Sequence, residues 1–478
     1  MSEKKEKTAR MPKLWEALLV FAIAIGVMAV GIMVFHVDPH IPMFIGVIVA
    51  ALMAIHLGFK WEEVEKHMMD GIYRALQSII ILAVAGILVG VWLVAGVVPT
   101  LIYYGLKILN PSIFLVASML ICGITSLATG TSWGTMATMG IALMGVGMGL
   151  GVSPAMTAGA VISGAYFGDK LSPLSDTTNL APAMAGTDVF THVKFMATSH
   201  GAVTVVCIIF YLILGLSHAD SADMSQVETL LAGLEANFNI SPLLFLPPIV
   251  VIASIALKVP AIPGIVLGII TAGILGPILQ GGNCTFGDII GCAHYGYESA
   301  TGIAELDDLL TAGGLDGMMF SISLTIIAMM FGGIMEGTKQ MDVVVGVIVG
   351  KIKKTANLIG ATLITCVVSN AVMPEQYISI ILPGRMYAPT YRERGLAPET
   401  LSNALEASGT VTSALIPWNT CGVYILSTLG VGVLEYGPYA MFNWLMPITV
   451  YLFAWLGLTI KYQDGTTEWQ RKRGKVKV

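Results

Sequence analysis

The chain has 478 residues, of which 55% are hydrophobic and only 12% charged, and its formal net charge is −5. A soluble domain carries about 25% charged residues, so roughly half of the expected charged exterior is missing and the lipid bilayer must be the solvent for most of this chain. That excludes a soluble enzyme or a nucleic-acid-binding protein.

In chain order, residues 1–13 form a basic tail (Lys4, Lys5, Lys7, Arg10, Lys13), read as an anchor to the inner leaflet. The apolar run from Leu14 to Phe35 is too long for a signal-peptide core and is predicted to be a retained transmembrane helix. Crossing a ~30 Å hydrocarbon core takes roughly 20 apolar residues. Clear runs of that kind are 14–35, 40–59, 76–98, 193–216, 240–257, 262–280, 317–338 and 439–460. Between the second and third, Lys60 to Ala75 is charged and amphipathic and is predicted to lie at the interface. The stretches 112–186 and 356–430 are apolar on average but interrupted by Gly, Pro, Ser, Thr, Asn and a few charges. Residues 461–478 hold six basic groups and read as a second anchor. Cys122, Cys207, Cys366 and Cys421 sit in apolar runs as small hydrophobes. Cys284 and Cys292 share a loop, where a disulfide and two free thiols are both open readings.

An internal repeat emerges when the chain is compared with itself. A shift of 244 residues superposes Cys122 on Cys366, Pro154 on Pro398, Leu171 on Leu415 and Pro173 on Pro417. A shift of 246 superposes Asp70-Gly71 on Asp316-Gly317 and Gly86 on Gly332. The shared register predicts a tail at 1–13, a first repeat at 14–216, an external acidic linker at 217–239, a second repeat at 240–460 and a tail at 461–478.

Charge placement gives the orientation. With five full spans and one re-entrant hairpin per repeat, the two halves run in opposite directions. Lys60, Lys66, Arg74, Lys194, Lys258, Lys339, Lys351, Lys353, Lys354, Arg392 and Arg394 then fall inside, and the loops 217–239 and 281–316, which lack Lys and Arg, fall outside. Only Lys107 lies on the wrong side. The fold expected is an all-α polytopic membrane protein of inverted-repeat secondary-transporter type. It has about ten transmembrane helices, two re-entrant hairpins and two broken helices, with both termini cytoplasmic.

Unwound backbone at membrane depth is tolerated only where it lines a cavity, so the breaks carry the chemistry. The hairpin tips are Ser126–Thr135 and Ser369–Tyr377. Thr131 and Ser132 in the first, and Asn370 and Glu375 in the second, offer the oxygen ligands that a hard cation selects. The broken helices are interrupted at 168–179 and 409–422. There Asp169, Ser175, Asp176 and Thr177, and in the mirrored break Asn419 and Thr420, are candidate ion ligands, with Lys170 as a charge partner for Asp169. Asp176 could equally cap the resumed half-helix. Glu406, alone in an uncharged helical run, is a further candidate. An intramembrane charge costs about 2.5–3.5 kcal/mol on insertion scales, so such residues are functional by default.

The run Gly-Asp-Lys-Leu-Ser-Pro-Leu-Ser-Asp-Thr-Thr at 168–178 resembles the signature of the NhaC family of bacterial Na⁺/H⁺ antiporters. Gly-Thr-Ser-Trp-Gly-Thr at 130–135, Val98–Gly105 and Pro-Trp-Asn-Thr-Cys-Gly at 417–422 resemble it too, so the likeness covers nearly the whole chain. The resemblance implies Na⁺/H⁺ exchange by alternating access in the bacterial inner membrane, with ions bound between hairpin tips and unwound loops. It also implies a homodimer. The same family includes exchangers of malate and lactate, so a Na⁺- and H⁺-coupled carrier of small carboxylates is the alternative, and a cation channel the more distant rival. No Walker loop, His-Glu-x-x-His or Gly-x-Ser-x-Gly motif occurs, so no enzyme is expected. No cofactor is expected beyond Na⁺ and H⁺ as transported ions.

Overall fold

The computed structural model describes residues 9–473 except 36, 219–223, 258, 350, 351 and 353. Lys4, Lys5, Lys7, His36, Lys258, Lys351, Lys353, Lys475 and Lys477 therefore lie outside the described residues. The chain is all-α and polytopic. Eight helices among the described residues are long and apolar enough to cross a bilayer: Leu14–Gly31, His40–Leu57, Trp61–Val94, Pro111–Thr129, Val189–Ser217, Ile262–Asn283, Gly314–Gly337 and Thr355–Val372. A ninth arises if Val227–Asn237 and Pro242–Ser254, bent by 99° at a short break, form one span.

Three local results refine the expected elements. Lys60–Ala75 does not lie apart from the following span, because Trp61–Val94 is one unbroken helix of 34 residues. Pro111–Thr129 and Thr355–Val372, expected as hairpin arms, are long enough to cross by themselves, at 19 and 18 residues. The run 439–460 forms the shorter apolar helix Met441–Leu456.

Residue placement is that of a protein in lipid. Ile41, Ile124, Ile213 and Ile278 are more than half exposed, while Asp169, Lys170, Glu375, Glu399 and Glu406 are buried. With lipid tails as apolar as leucine, helices associate by close packing of small residues rather than by hydrophobic burial. Gly164 and Gly168, one turn apart on the Pro154–Leu171 helix, do this against the Pro111–Thr129 helix. A Cβ at either would run into a backbone carbonyl, that of Met119 or Gly123.

The repeat is visible in the helix boundaries. Pro154–Leu171 and the helical run from Pro398 to Leu415 are offset by 244 residues at both ends, and so are the starts at Pro111 and Thr355, and at Asp176 and Thr420. By internal contacts the chain forms two compact units. The first comprises Met1–Ile79, Ser321–Val423 and Tyr451–Val478, the second Ile80–Phe320 and Tyr424–Val450.

In the second unit, the exceptional Lys107 has local partners. It donates to Tyr103 Oη and stands 3.7 Å from Glu235. Cys284 and Cys292 in the same unit, for which the sequence leaves a disulfide and two free thiols both open, are free thiols. In the first unit, part of the C-terminal tail is folded onto protein. Lys461 Nζ lies 2.6 Å from Glu399, and Arg471 pairs with Asp464 at 2.5 Å and covers the Tyr462 ring at 3.5 Å.

Candidate functional site

The second unit holds the first hairpin tip and the first broken helix. Pro154 starts that helix at a position where its missing N–H costs nothing. The helix stops at Leu171, and Ser175 opens the next one by accepting from the Thr178 N–H at 3.4 Å. The last turn before the break brings Asp169 and Lys170 together, Oδ2 to Nζ at 3.0 Å. Ser132 Oγ, from the hairpin tip, donates to the same carboxylate oxygen at 3.1 Å. Lys170 Nζ also donates to Thr177 Oγ1, which lies 3.3 Å from Ser175 Oγ. Thr178 Oγ1 closes the group by donating to the Asp169 carbonyl at 3.1 Å. Asp169 Oδ1 is buried without a hydrogen bond.

Asp169, Lys170, Ser132, Ser175 and Thr177 are thus one cluster. Asp176 is the exposed first residue of the Asp176–Ala185 helix, within electrostatic reach of Asp169 and Lys170. Thr131 serves the backbone, accepting from the Gly134 N–H at 3.1 Å and capping the second hairpin arm. The sequence reading missed His192 and His200. Both are wholly buried on the Val189–His218 helix, within electrostatic reach of Lys170. The available signal was two imidazoles eight residues apart at the start of one long helix.

The first unit holds the mirrored elements. Thr355–Val372 ends at the tip Met373–Tyr377, and Ile378–Glu393 follows. Glu375 occupies the tip, 2% exposed. Its Oε2 accepts from the Tyr377 N–H at 2.5 Å, and its Oε1 is buried with no hydrogen bond. Among the described residues no ion pair reaches it. Asn370 donates to the Gly409 carbonyl at 2.8 Å and to Thr412 Oγ1 at 3.1 Å. Asn419 in the break donates to the Asn370 carbonyl at 3.1 Å, while its own Oδ1 accepts from the Cys421 N–H at 3.0 Å. The Thr420 N–H donates to the Pro374 carbonyl at 2.9 Å. Asn370, Asn419 and Thr420 therefore tie the hairpin tip to the helix break beside Glu375. Glu406 lies earlier on the broken helix, wholly buried at the first position of a π-helical turn.

The two sites differ in charge. Asp169 is neutralised by Lys170, whereas Glu375 sits in a tip whose other polar groups are amides, hydroxyls and backbone. A buried carboxylate without a counter-charge needs either a proton or a bound cation. Broken helices among apolar spans, with buried ionisable groups at the breaks, define an ion-coupled membrane transporter.

Comparison with known proteins specifies the family. The model of the Na⁺/H⁺ antiporter family matches residues 8–166 and 164–458, and the chain belongs to that family. It is 38% identical to the Na⁺/H⁺ antiporter NhaC of Alkalihalophilus pseudofirmus over 93% of this chain and 96% of that protein. It is 35% identical to the malate-2H⁺/Na⁺-lactate antiporter of Bacillus subtilis over 98% of this chain and 99% of that one. It is also 35% identical to the Na⁺/H⁺ antiporter NhaC of Bacillus subtilis, over 86% and 91%.

Proposed function

We propose that this chain exchanges Na⁺ for H⁺ across the bacterial inner membrane by alternating access, with both termini in the cytoplasm. The observation that carries the reading is Glu375. It is a buried carboxylate at a helix break, with one oxygen fixed by a backbone N–H and the other without a partner. A proton and a Na⁺ ion satisfy the same charge there, so one excludes the other, and that exclusion is what couples two opposed fluxes. Asp169 and Lys170 supply a second, internally neutral group whose ion pair can open when a cation competes for Asp169. Two relatives named as Na⁺/H⁺ antiporters support the reading.

The second reading is a Na⁺- and H⁺-coupled exchanger of small carboxylates. It is favoured by the relative named for malate and lactate, and by Lys170 beside the N-terminus of the Asp176–Ala185 helix, a setting suited to an anion. Purified protein in proteoliposomes with an imposed ΔpH separates the two. Collapse of ΔpH on adding Na⁺ alone supports Na⁺/H⁺ exchange. A response that appears only when malate or lactate is also present supports the second reading and sinks the first.

A further inference from the structure

The broken helix of the first unit starts as the Pro398–Leu405 α-helix and continues as a π-helical turn at Glu406–Thr410. A π turn gives poorer backbone hydrogen bonding than an α turn, and it is retained mostly where the widened turn re-aims side chains at a functional site. Asn403, Glu406 and Thr410 are spaced three and four residues apart on this segment, which stacks them on one side of the helix. Each is wholly buried.

Two of them are left unsatisfied. Neither amide atom of Asn403 makes a hydrogen bond, nor does Thr410 Oγ1. The other hydroxyls of this segment are occupied. Ser408 Oγ donates to the Leu363 carbonyl at 2.7 Å, Thr412 Oγ1 to the Ser408 carbonyl at 2.6 Å, and Ser413 Oγ to the Thr410 carbonyl at 2.5 Å. The orphaned Asn403 and Thr410 atoms lie on the side that Glu406 shares. A buried polar group left without a partner costs about 1–3 kcal/mol, so its retention points to a ligand that completes it. The positions 244 residues earlier are Gly159, Ile162 and Tyr166, so the arrangement is not a by-product of the repeat.

We propose that Asn403 Oδ1, the Glu406 carboxylate and Thr410 Oγ1 form a Na⁺ site on the π-helical side of this helix, separate from Glu375. Oxygen donors select a hard cation. One carboxylate with two neutral oxygens balances a monovalent ion, whereas a calcium site takes six to eight oxygens and usually several carboxylates. The inference rests on the Na⁺/H⁺ reading and adds to it a second cation site beside the one at Glu375.

The test measures ²²Na⁺ binding to the purified full chain and the Na⁺ concentration for half-maximal ΔpH collapse in proteoliposomes. Thr410→Val keeps shape and loses the hydroxyl, and Thr410→Ser restores it. The expected result is a loss of Na⁺ affinity of roughly tenfold or more in Thr410→Val, wild-type affinity in Thr410→Ser, and a loss in Asn403→Leu. If Asn403→Leu does not yield folded protein, the Thr410 pair decides the matter. Wild-type Na⁺ affinity in Thr410→Val, with wild-type protein exchanging Na⁺ normally, overturns this site and leaves the antiporter reading intact. Absence of any Na⁺ response in the wild type overturns both.

Discussion

Lys170 Nζ lies 3.0 Å from Asp169 Oδ2, an ion pair between sequence neighbours that are both buried. Neighbouring residues on a helix do not normally face each other, and these two meet at the last turn before the break that follows Leu171. Removing one member of a buried pair leaves an uncompensated charge and costs about 3–5 kcal/mol, while removing both is far milder. Lys170→Met is thus expected to lower thermal stability sharply, and adding Asp169→Asn to recover most of it without restoring exchange. Melting curves of the purified single and double variants check this. A double variant no more stable than Lys170→Met contradicts it.

Gly168 brings the Asp169 cluster against the hairpin arm, because its missing side chain leaves room for the Gly123 carbonyl. Gly168→Ala is expected to overpack this contact at a cost of about 1–3 kcal/mol and to displace the neighbouring carboxylate from Ser132. Exchange rate per folded protein should fall more than expression does. Unaltered turnover in Gly168→Ala would show that the close approach is not required.

Asn419 joins the helix break to the hairpin tip through the Asn370 carbonyl and caps the next helix through the Cys421 N–H. Asn419→Leu abandons both buried partners, so a loss of about 2–6 kcal/mol is expected from two unsatisfied groups at about 1–3 kcal/mol each. Asn419→Asp keeps the acceptor and replaces the donor by a carboxyl, so at acidic pH, where that carboxyl is neutral, it should lie between Leu and wild type in melting temperature. Equal melting temperatures for the two variants would contradict that division of labour.

Asp307, in the short Ala304–Leu310 helix, holds the loop before it: it accepts from the Thr301 N–H at 2.6 Å, the Thr301 hydroxyl at 2.7 Å and the Ser299 hydroxyl at 2.7 Å. The Thr301 backbone and side-chain bonds, then that of Ser299, pull its carboxyl down from 3.8 to about 2. A lowered folded-state value stabilises the loop above the unfolded value, and that contribution fades as pH falls from about 4 toward 2. Protection of the Thr301 and Gly302 amides, measured against the intrinsic exchange rate at each pH, should therefore fall across that window in wild type. In Asp307→Asn protection should be low throughout, and wild-type protection unchanged down to pH 2 would contradict the assignment.

Sequence and structure agree most closely where the chain itself marks a discontinuity. Pro154, Pro398 and the polar breaks after Leu171 and Leu415 set helix ends that tertiary packing left in place. The Asp169–Lys170 pair was legible because two opposite charges in an apolar stretch have few other partners. The joining of Lys60–Ala75 to its span was not, since no Gly or Pro marks continuity as they mark a stop. His192, His200 and Asn403 were missed for a different reason. Burial on the inner side of a helix is decided by which neighbours pack against it, and local composition carries little of that.

The central claim is that Na⁺ and H⁺ compete for Glu375, and the pH dependence of Na⁺ affinity in proteoliposomes tests it most directly. If a carboxylate must lose its proton to bind the ion, half-saturation by Na⁺ rises by up to about tenfold for each unit of pH lowered in the acidic range. The account predicts this competition in wild type and no exchange in Glu375→Gln. Glu375→Gln protein that still exchanges Na⁺ for H⁺, with the wild-type dependence on pH, would contradict it.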